Sequence, residues 1–309
     1  MPPEEQTEVR RILSSAIWET VPKREPAAKN SESPRASAVP AMLPQLHISK
    51  WLVCAQVSIM PSQSDKSALI DTLLNGNNLL SFLRPSELEL LKPHLKAVQA
   101  DSNTILYDPG QSVQTVYFPC YGTLVSFLVA TDDGGAVESL LVGREGAVGG
   151  IVSHGHLPAY SKIAIQSGGG LLSMPVTILD ECKDKSRAIE NLFARYADCM
   201  VAQMFQAAAC NAAHSIEQRT AKWIGAAIER SGSNVVPLTQ ERLAATLGVG
   251  RSYISRVLGT FKADQTLTVR RGHLMVQDEA KLRSRACGCH DVVKGHFETV
   301  LKGVYPNEG

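Results

Sequence analysis

Residues 240–259 read QERLAATLGVGRSYISRVLG, and their spacing decides the fold of the C-terminal part of the chain. Counted from Gln240, the residues Leu243, Leu247, Val249, Ile254 and Val257 fall at positions 4, 8, 10, 15 and 18. At these spacings two short helices crossing at a steep angle share one core. Ala244 stands where a larger side chain would strike the second helix. Gly248 stands at the turn, where a positive φ carries no steric cost for glycine. Thr239 offers an oxygen to cap the first helix. The pattern predicts a helix-turn-helix whose second helix covers about Arg251 to Phe261. Arg251, Ser252, Tyr253, Ser255 and Arg256 lie on its outward face, with Ile254 and Val257 facing inward. Such a helix enters the major groove N-terminus first, where arginine pairs bidentately with guanine.

Working outward, Leu267 to Arg270 and His273 to Val276 alternate around Arg271-Gly272. This predicts a hairpin wing, with Arg270 and Arg271 in reach of phosphates. The whole chain has a formal net charge of +1, which says nothing about nucleic acid. Its distribution says more: from His214 to His290, twelve Lys and Arg face six Asp and Glu, a modest phosphate-binding footprint.

Upstream, Val176 to Arg230 contains no proline and one glycine, Gly225. The run predicts a short helix followed by a long one. Ile189, Leu192, Tyr196, Cys199, Gln203, Gln206 and Cys210 recur three or four apart as a loose heptad seam. Ala207, Ala208 and Ala209 would let helices approach closely. Two readings fit: a dimer-forming coiled coil, or a helix packed only against its own barrel. Ser231-Gly232-Ser233-Asn234 closes the helical run.

Before that run the periodicity shortens. Six β segments, Thr104–Tyr107, Val116–Phe118, Thr123–Ala130, Val137–Val142, Lys162–Gln166 and Leu171–Met174, are separated by turn formers such as Gly168-Gly169-Gly170. They predict an antiparallel jelly roll or barrel. Leu79, Leu80, Leu83, Leu88, Leu91 and Leu95, broken by Pro85 and Pro93, predict two short helices ahead of it. Residues 1–65, interrupted by Pro22, Pro26, Pro34, Pro40 and Pro44, read as a poorly ordered extension with a short helix around Glu5 to Trp18.

Seven scattered cysteines do not suggest a secreted disulfide framework. No signal-peptide pattern opens the chain, and the longest mostly apolar stretch, Trp51–Met60, is too short to span a bilayer. A cytoplasmic location without membrane contact is expected. Cys287-Gly288-Cys289-His290, with His296 nearby, offers a zinc site, a thiol switch, or plain packing of a C-terminal helix. Cys-x-Cys is a weaker signal than Cys-x-x-Cys, so no metal and no cofactor is expected. His154 and His156 could hold a metal or haem, although loop histidines more often do neither. No phosphate loop, GxSxG elbow or HExxH helix is present, so no enzymatic activity is expected.

Barrel, long helix, helix-turn-helix and wing, in that order, resemble the Crp/Fnr family of bacterial regulators. The resemblance spans about Asn77 to Asp278. It rests most firmly on LTQERLAATLGVGRSYISRVLGTF (238–261) and VRRGHLMV (269–276), with DPGQSVQTVYFPCYGTLVSF (108–127) resembling the opening of the family's barrel. It implies an α+β protein: a jelly-roll sensor domain over 66–185, a dimerisation helix over 186–212, a winged helix-turn-helix over 213–290 and a tail over 291–309. It also implies a homodimer on a palindromic double-stranded DNA operator, with a small-molecule effector and RNA polymerase as further partners. Arg251 and Arg256 match the family's two base-reading arginines, while Ser252 replaces its glutamate. In cyclic-nucleotide-binding members a Gly-Glu pair holds the ribose and an Arg-Ser pair the phosphate. Gly149-Gly150 and Tyr160-Ser161 stand at those places, so the usual nucleotide is not expected. The competing reading is a sensor that acts mainly through protein contacts.

Overall fold

A computed structural model describes residues 63–132 and 134–305, together with a two-residue strand, β1 (Glu19–Thr20). The expected extension over 1–65, its short helix and Cys54 therefore lie almost wholly outside the described residues. β1 departs from the expectation of disorder, since it pairs in parallel with β2 (Lys96–Ala100), Glu19 opposite Val98. A sheet edge offers free backbone groups that a short extended segment can satisfy without a hydrophobic core of its own, which composition does not reveal.

Two helices, α1 (Gln63–Leu74) and α2 (Pro85–Leu91), precede the strands, and Pro85 occupies the first helical turn, where its missing N–H is not needed. Of the two short helices expected from the leucines, the second is α2, while the first is only a 3-10 turn at Leu80–Phe82; another 3-10 turn at Lys92–His94 leads into β2. β2, which begins just after Leu95, pairs with β8 (Gly169–Pro175), Val98 opposite Leu171. The remaining strands are β3 (Ile105–Tyr107), β4 (Thr115–Pro119), β5 (Leu124–Ala130), β6 (Ala136–Val142) and β7 (Lys162–Ser167). They form two four-stranded sheets, β1-β2-β8-β4 and β3-β7-β5-β6, antiparallel except at β1. Glycine is required at the β7–β8 corner. A side chain at Gly168 would come within 2.4 Å of the Ala100 carbonyl, and one at Gly169 equally close to that of Tyr121. Phe118, Ile165, Leu171 and Leu172 fill the roll.

The helical run divides into α3 (Val176–Lys185), α4 (Arg187–Ala213) and α5 (Ile216–Ser231). Ser186 caps α4, and Ser215 with Gln218 forms a reciprocal capping box on α5. Gly232, at φ +69°, ends α5. The seam read along α4 faces inward. Ile189, Leu192, Tyr196, Cys199 and Cys210 are buried within the single chain, and the Gln203 amide donates to the Leu141 carbonyl at 3.1 Å. Periodicity reports which face of a helix is covered, not whose atoms cover it.

Part of that cover comes from the stretch expected as a tail. Of the expected tail over 291–309, residues 291–301 belong to α9 (Cys289–Leu301), which buries Val293, Phe297 and Leu301. The Phe297 ring meets Tyr196 edge-on at 6.2 Å. Its apolar residues recur every four positions, which is ordinary amphipathic spacing. The opposite face of α4 carries Val201, Met204 and Phe205 in solvent, Phe205 with 72% of its surface exposed.

The C-terminal unit contains β9 (Val235–Val236), α6 (Gln240–Leu247), α7 (Arg251–Ala263), β10 (Leu267–Arg270), β11 (His273–Val276) and α8 (Glu279–Arg285). It has its own core, in which Trp223 and Ile224 of α5 join Leu243, Ile254, Phe261 and Leu274. Leu124 and Leu141 of the roll enter the same cluster, so the two units share buried surface. Among the described residues no helix is long and apolar enough to cross a membrane.

Candidate nucleic-acid interface

Local chemistry sets both ends of α6. The Thr239 hydroxyl accepts from the Arg242 N–H at 3.2 Å. At the other end Gly248 takes φ +67° and donates to Ala245, while Val249 donates to Ala244. This paired closure satisfies carbonyls that the helix would otherwise leave free, and it turns the chain into α7. Leu243, Ala244 and Leu247 are buried from α6, Ile254, Val257, Leu258 and Phe261 from α7, and Val249 packs partly buried against them. The two helices thus meet through the residues their spacing selected.

Burial of one face of α7 leaves the other in solvent: Arg251, Ser252, Tyr253, Ser255 and Arg256 are all exposed. Arg251 pairs with Glu241 at 2.9 Å, and the Arg256 guanidinium lies over the Tyr253 ring at 5.4 Å. The Arg251–Glu241 pair, more than half exposed on both sides, is held by little energy and leaves the arginine available to a stronger acceptor. β10 and β11 form the wing, Arg270 opposite His273, and Gly272 takes φ +82° at its tip. Arg270 and Arg271 are exposed there.

The basic tally of the sequence overstates the charge on offer. Arg219 donates to the Leu247 carbonyl at 3.0 Å, fastening α5 to the end of α6. Arg230 is buried and pairs with Glu145 at 3.2 Å. Arg242 bonds Asn103 of the roll. Arg285 bridges Glu217 and Asp264 and covers the Phe261 ring. Bonds from Thr266 and then Arg285 hold the Asp264 carboxyl down at about 2. The outward bases are Arg251, Arg256, Lys262, Arg270, Arg271, Lys281 and Arg283.

A carboxyl group marks the joint between the roll and the C-terminal unit. Glu138 of β6 accepts from the Trp223 indole at 2.6 Å and from the Ser126 hydroxyl. Burial pushes its carboxyl up to about 7, against these two bonds and the nearby Arg230 and Lys222 charges. Protonation thus becomes accessible near neutrality at a contact between the two units.

Gly149-Gly150 and Tyr160-Ser161 offer neither a carboxylate nor a guanidinium. A side chain at Gly150 would meet Val176 at 3.1 Å, and Tyr160 is 87% exposed. His154 and His156 are exposed as well. The C-terminal candidates behave differently. Cys287 and Cys289 are buried and converge with Cys210 and His214. His290 turns away to Glu229 at 2.8 Å, and together with Lys294 it holds that carboxyl at about 2. His296 is exposed. Cys210 and His214, absent from the sequence reading of this cluster, carried a usable signal: Cys-x-x-x-His places both on one side of a helix end.

Residues 218–285 match the Crp-like helix-turn-helix domain. Among solved structures, the c-di-GMP responsive global regulator CLP from Xanthomonas campestris is 16% identical, with a TM-score of 0.50 over 62% of this chain and 99% of its own. FixK2 from Bradyrhizobium japonicum is 13% identical, with a TM-score of 0.50 over 62% of this chain and 98% of its own. A search of curated proteins returns no match. At these identities the structural likeness concerns the fold, and the domain match concerns residues 218–285. Residues 218–285 thus match a Crp-like helix-turn-helix domain, and the chain shares the fold of these two regulators.

Proposed function

We propose that this protein is a sequence-specific DNA-binding regulator that acts as a homodimer on a palindromic operator. The observation that carries the reading is the division of α7, with Ile254, Val257, Leu258 and Phe261 locked in a core and Arg251, Ser252, Tyr253, Ser255 and Arg256 in solvent. A helix held this way presents one rigid polar edge to the major groove. Arg251 and Arg256, about one and a half turns apart, are the base readers. Arg251 also adds its charge to the positive end of the helix. Arg270 and Arg271 on the wing contact the sugar-phosphate backbone, where they add affinity without sequence preference.

Dimerisation uses the exposed stripe of α4 rather than the seam first read. Val201, Met204, Phe205 and Ala208 recur at i, i+3, i+4 and i+7, on the side opposite Tyr196, Cys199 and Cys210. Two copies packed on this stripe would form an isologous interface, and two-fold protein symmetry matches a two-fold operator. The effector is a small molecule other than a conventionally bound cyclic nucleotide, because Gly150 and Tyr160 supply neither carboxylate nor guanidinium to ribose and phosphate. RNA polymerase is the further partner that transcription regulation requires.

Selection from a pool of randomised duplex DNA tests the reading. The full chain should enrich a two-fold symmetric sequence whose half-sites lie about one helical turn apart. Enrichment of no sequence over the starting pool, with binding that follows salt alone, would refute specific readout and leave only electrostatic attraction.

A further inference from the structure

Away from the DNA-facing surface, four side chains from distant parts of the sequence bring their donor atoms together. Cys210 lies in the last turn of α4, and His214 follows as the residue that ends that helix. Cys287 lies in the corner between α8 and α9, and Cys289 opens α9. All four donor atoms lie within 4.8 Å of one another. The Cys210 and Cys287 sulfurs are 3.6 Å apart, and the Cys289 sulfur is 3.6 Å from His214 Nδ1. A tetrahedral zinc with Zn–S near 2.3 Å and Zn–N near 2.0–2.1 Å sets ligand separations of about 3.8 Å for two sulfurs and about 3.6 Å for sulfur and nitrogen. The Cys210–Cys287 and Cys289–His214 separations match those two values.

We propose that Cys210, His214, Cys287 and Cys289 form a structural Cys3His zinc site that clamps the corner between the long helix and the DNA-binding unit. Three features support it beyond distance. The three cysteines form a small buried cluster separate from both main cores, which simple apolar packing does not require. His214, half-buried, points a ring nitrogen into that cluster, where a polar atom needs a partner. The Gln206 amide donates to the Cys289 sulfur at 3.1 Å, and Cys289 sits at the positive end of a thirteen-residue helix. Hydrogen bonding from outside the ligand set is how proteins orient metal ligands. A donor set of three sulfurs and one imidazole suits zinc over magnesium, calcium or manganese, which prefer oxygen. A multi-iron cluster spreads its ligands over separate irons, which does not suit four donor atoms all within 4.8 Å of one another.

Binding is a ligand exchange without redox change. Zn²⁺ gains three Zn–S bonds and one Zn–N bond, and the three thiols release three protons to solvent. The neutral imidazole gives its Nδ1 lone pair. The closed four-ligand shell leaves no position for water, so the site is structural. Its effect is mechanical. Ser215, next to His214, begins α5, so the ion ties the end of α4 and the start of α9 to the point where the chain turns toward the helix-turn-helix.

The test is metal analysis of the full chain purified without chelator. About one zinc per chain should survive gel filtration, and Cys289→Ser should reduce it to a trace. Cobalt added to chelator-stripped protein should give the intense visible bands of a tetrahedral thiolate site. His290→Ala should keep full zinc, because His290 pairs with Glu229 outside the cluster. His214→Cys should also retain the ion, with its cobalt bands displaced to longer wavelength, which keeps the proposal open to refutation if Cys289→Ser does not fold. Chelation should lower the thermal midpoint by about 5 °C or more, and added zinc should restore it. A soluble chain with less than a tenth of an equivalent of zinc and no cobalt bands would overturn the proposal. So would mass spectrometry showing a Cys210–Cys287 disulfide in the freshly purified chain. These readouts do not involve DNA, so their failure would leave the proposed function standing.

Discussion

The two faces of α4 have the same apolar character and opposite surroundings. On one, Leu192, Tyr196 and Cys199 are enclosed by the roll and by α9; on the other, Val201, Met204 and Phe205 meet solvent. At 100° per residue the nine steps from Val201 to Cys210 make two and a half revolutions, a net half turn about the axis, so one helix carries two separate stripes. The inward stripe belongs to the folding of one chain. The outward one gains nothing until a partner covers it, and an exposed contiguous apolar patch of this kind marks an interaction surface. α7 repeats the division in another chemistry, with an apolar inner face and a basic outer one.

Substitutions on the two faces should therefore fail in different ways. Tyr196→Ala removes an aromatic ring that packs on Phe297 and bonds the Ala147 carbonyl at 3.2 Å. It should cost ~3–5 kcal/mol of folding stability, read as a lower denaturation midpoint. An equal midpoint in wild type and variant would mean that this face is not core. Phe205→Asp should leave the midpoint of unfolding per chain nearly unchanged. It should raise the dimer dissociation constant about a hundredfold or more, because the charge is placed twice in a symmetric interface. Light scattering across a concentration series decides it, and a wild type that stays monomeric would end the comparison.

The joint between the two units should respond to pH. The Glu138 carboxyl is held at about 7 in the folded chain against an ordinary 4.5, burial being the main cause. A raised carboxyl stabilises the fold fully below about 4.5, and that contribution is lost as pH climbs through about 7. Wild type should lose about 1–3 kcal/mol from this group between those limits, and Glu138→Gln should flatten the profile. Parallel profiles would show that the carboxyl is not shielded as its bonds to Ser126 and Trp223 imply. The smallest effect belongs to the wing. Arg271→Ala should weaken binding to all DNA sequences alike and reduce the slope of log affinity against log salt by about one unit, with folding untouched. A changed sequence preference instead would make Arg271 a base reader.

How much could be read beforehand followed from how local the controlling physics is. The helix-turn-helix was legible residue by residue because its turn needs Gly248 at positive φ, its cap needs Thr239, and its core needs apolar side chains at fixed separations. The strands from Thr115 to Met174 were legible to within a residue or two because glycine and proline separate them. β2 was not, since its pairing with β8 lies more than seventy residues away in sequence. The α4 seam was right in period and unassigned in partner. α9, which covers much of it, follows ordinary amphipathic spacing through Val293, Phe297 and Leu301 but was read as a tail. The cysteine cluster suffered similarly. Cys287 and Cys289 were visible as a weak pair, and His290 was grouped with them by adjacency, whereas the fold recruits Cys210 and His214 from across the chain. Arg219, Arg230, Arg242 and Arg285 looked like DNA-facing charge until their inward partners were located.

The central claim is that the outer face of α7 reads bases, and one measurement addresses it directly. Binding-site selection on randomised duplex DNA should be run side by side with wild type and Arg256→Ala, at one fixed salt concentration. The account predicts a palindromic consensus for wild type, and for the variant the same palindrome with one position per half-site relaxed and affinity reduced by ~1–3 kcal/mol. An unchanged consensus and unchanged affinity in Arg256→Ala would contradict it, and would mean that α7 is not the helix that reads the operator.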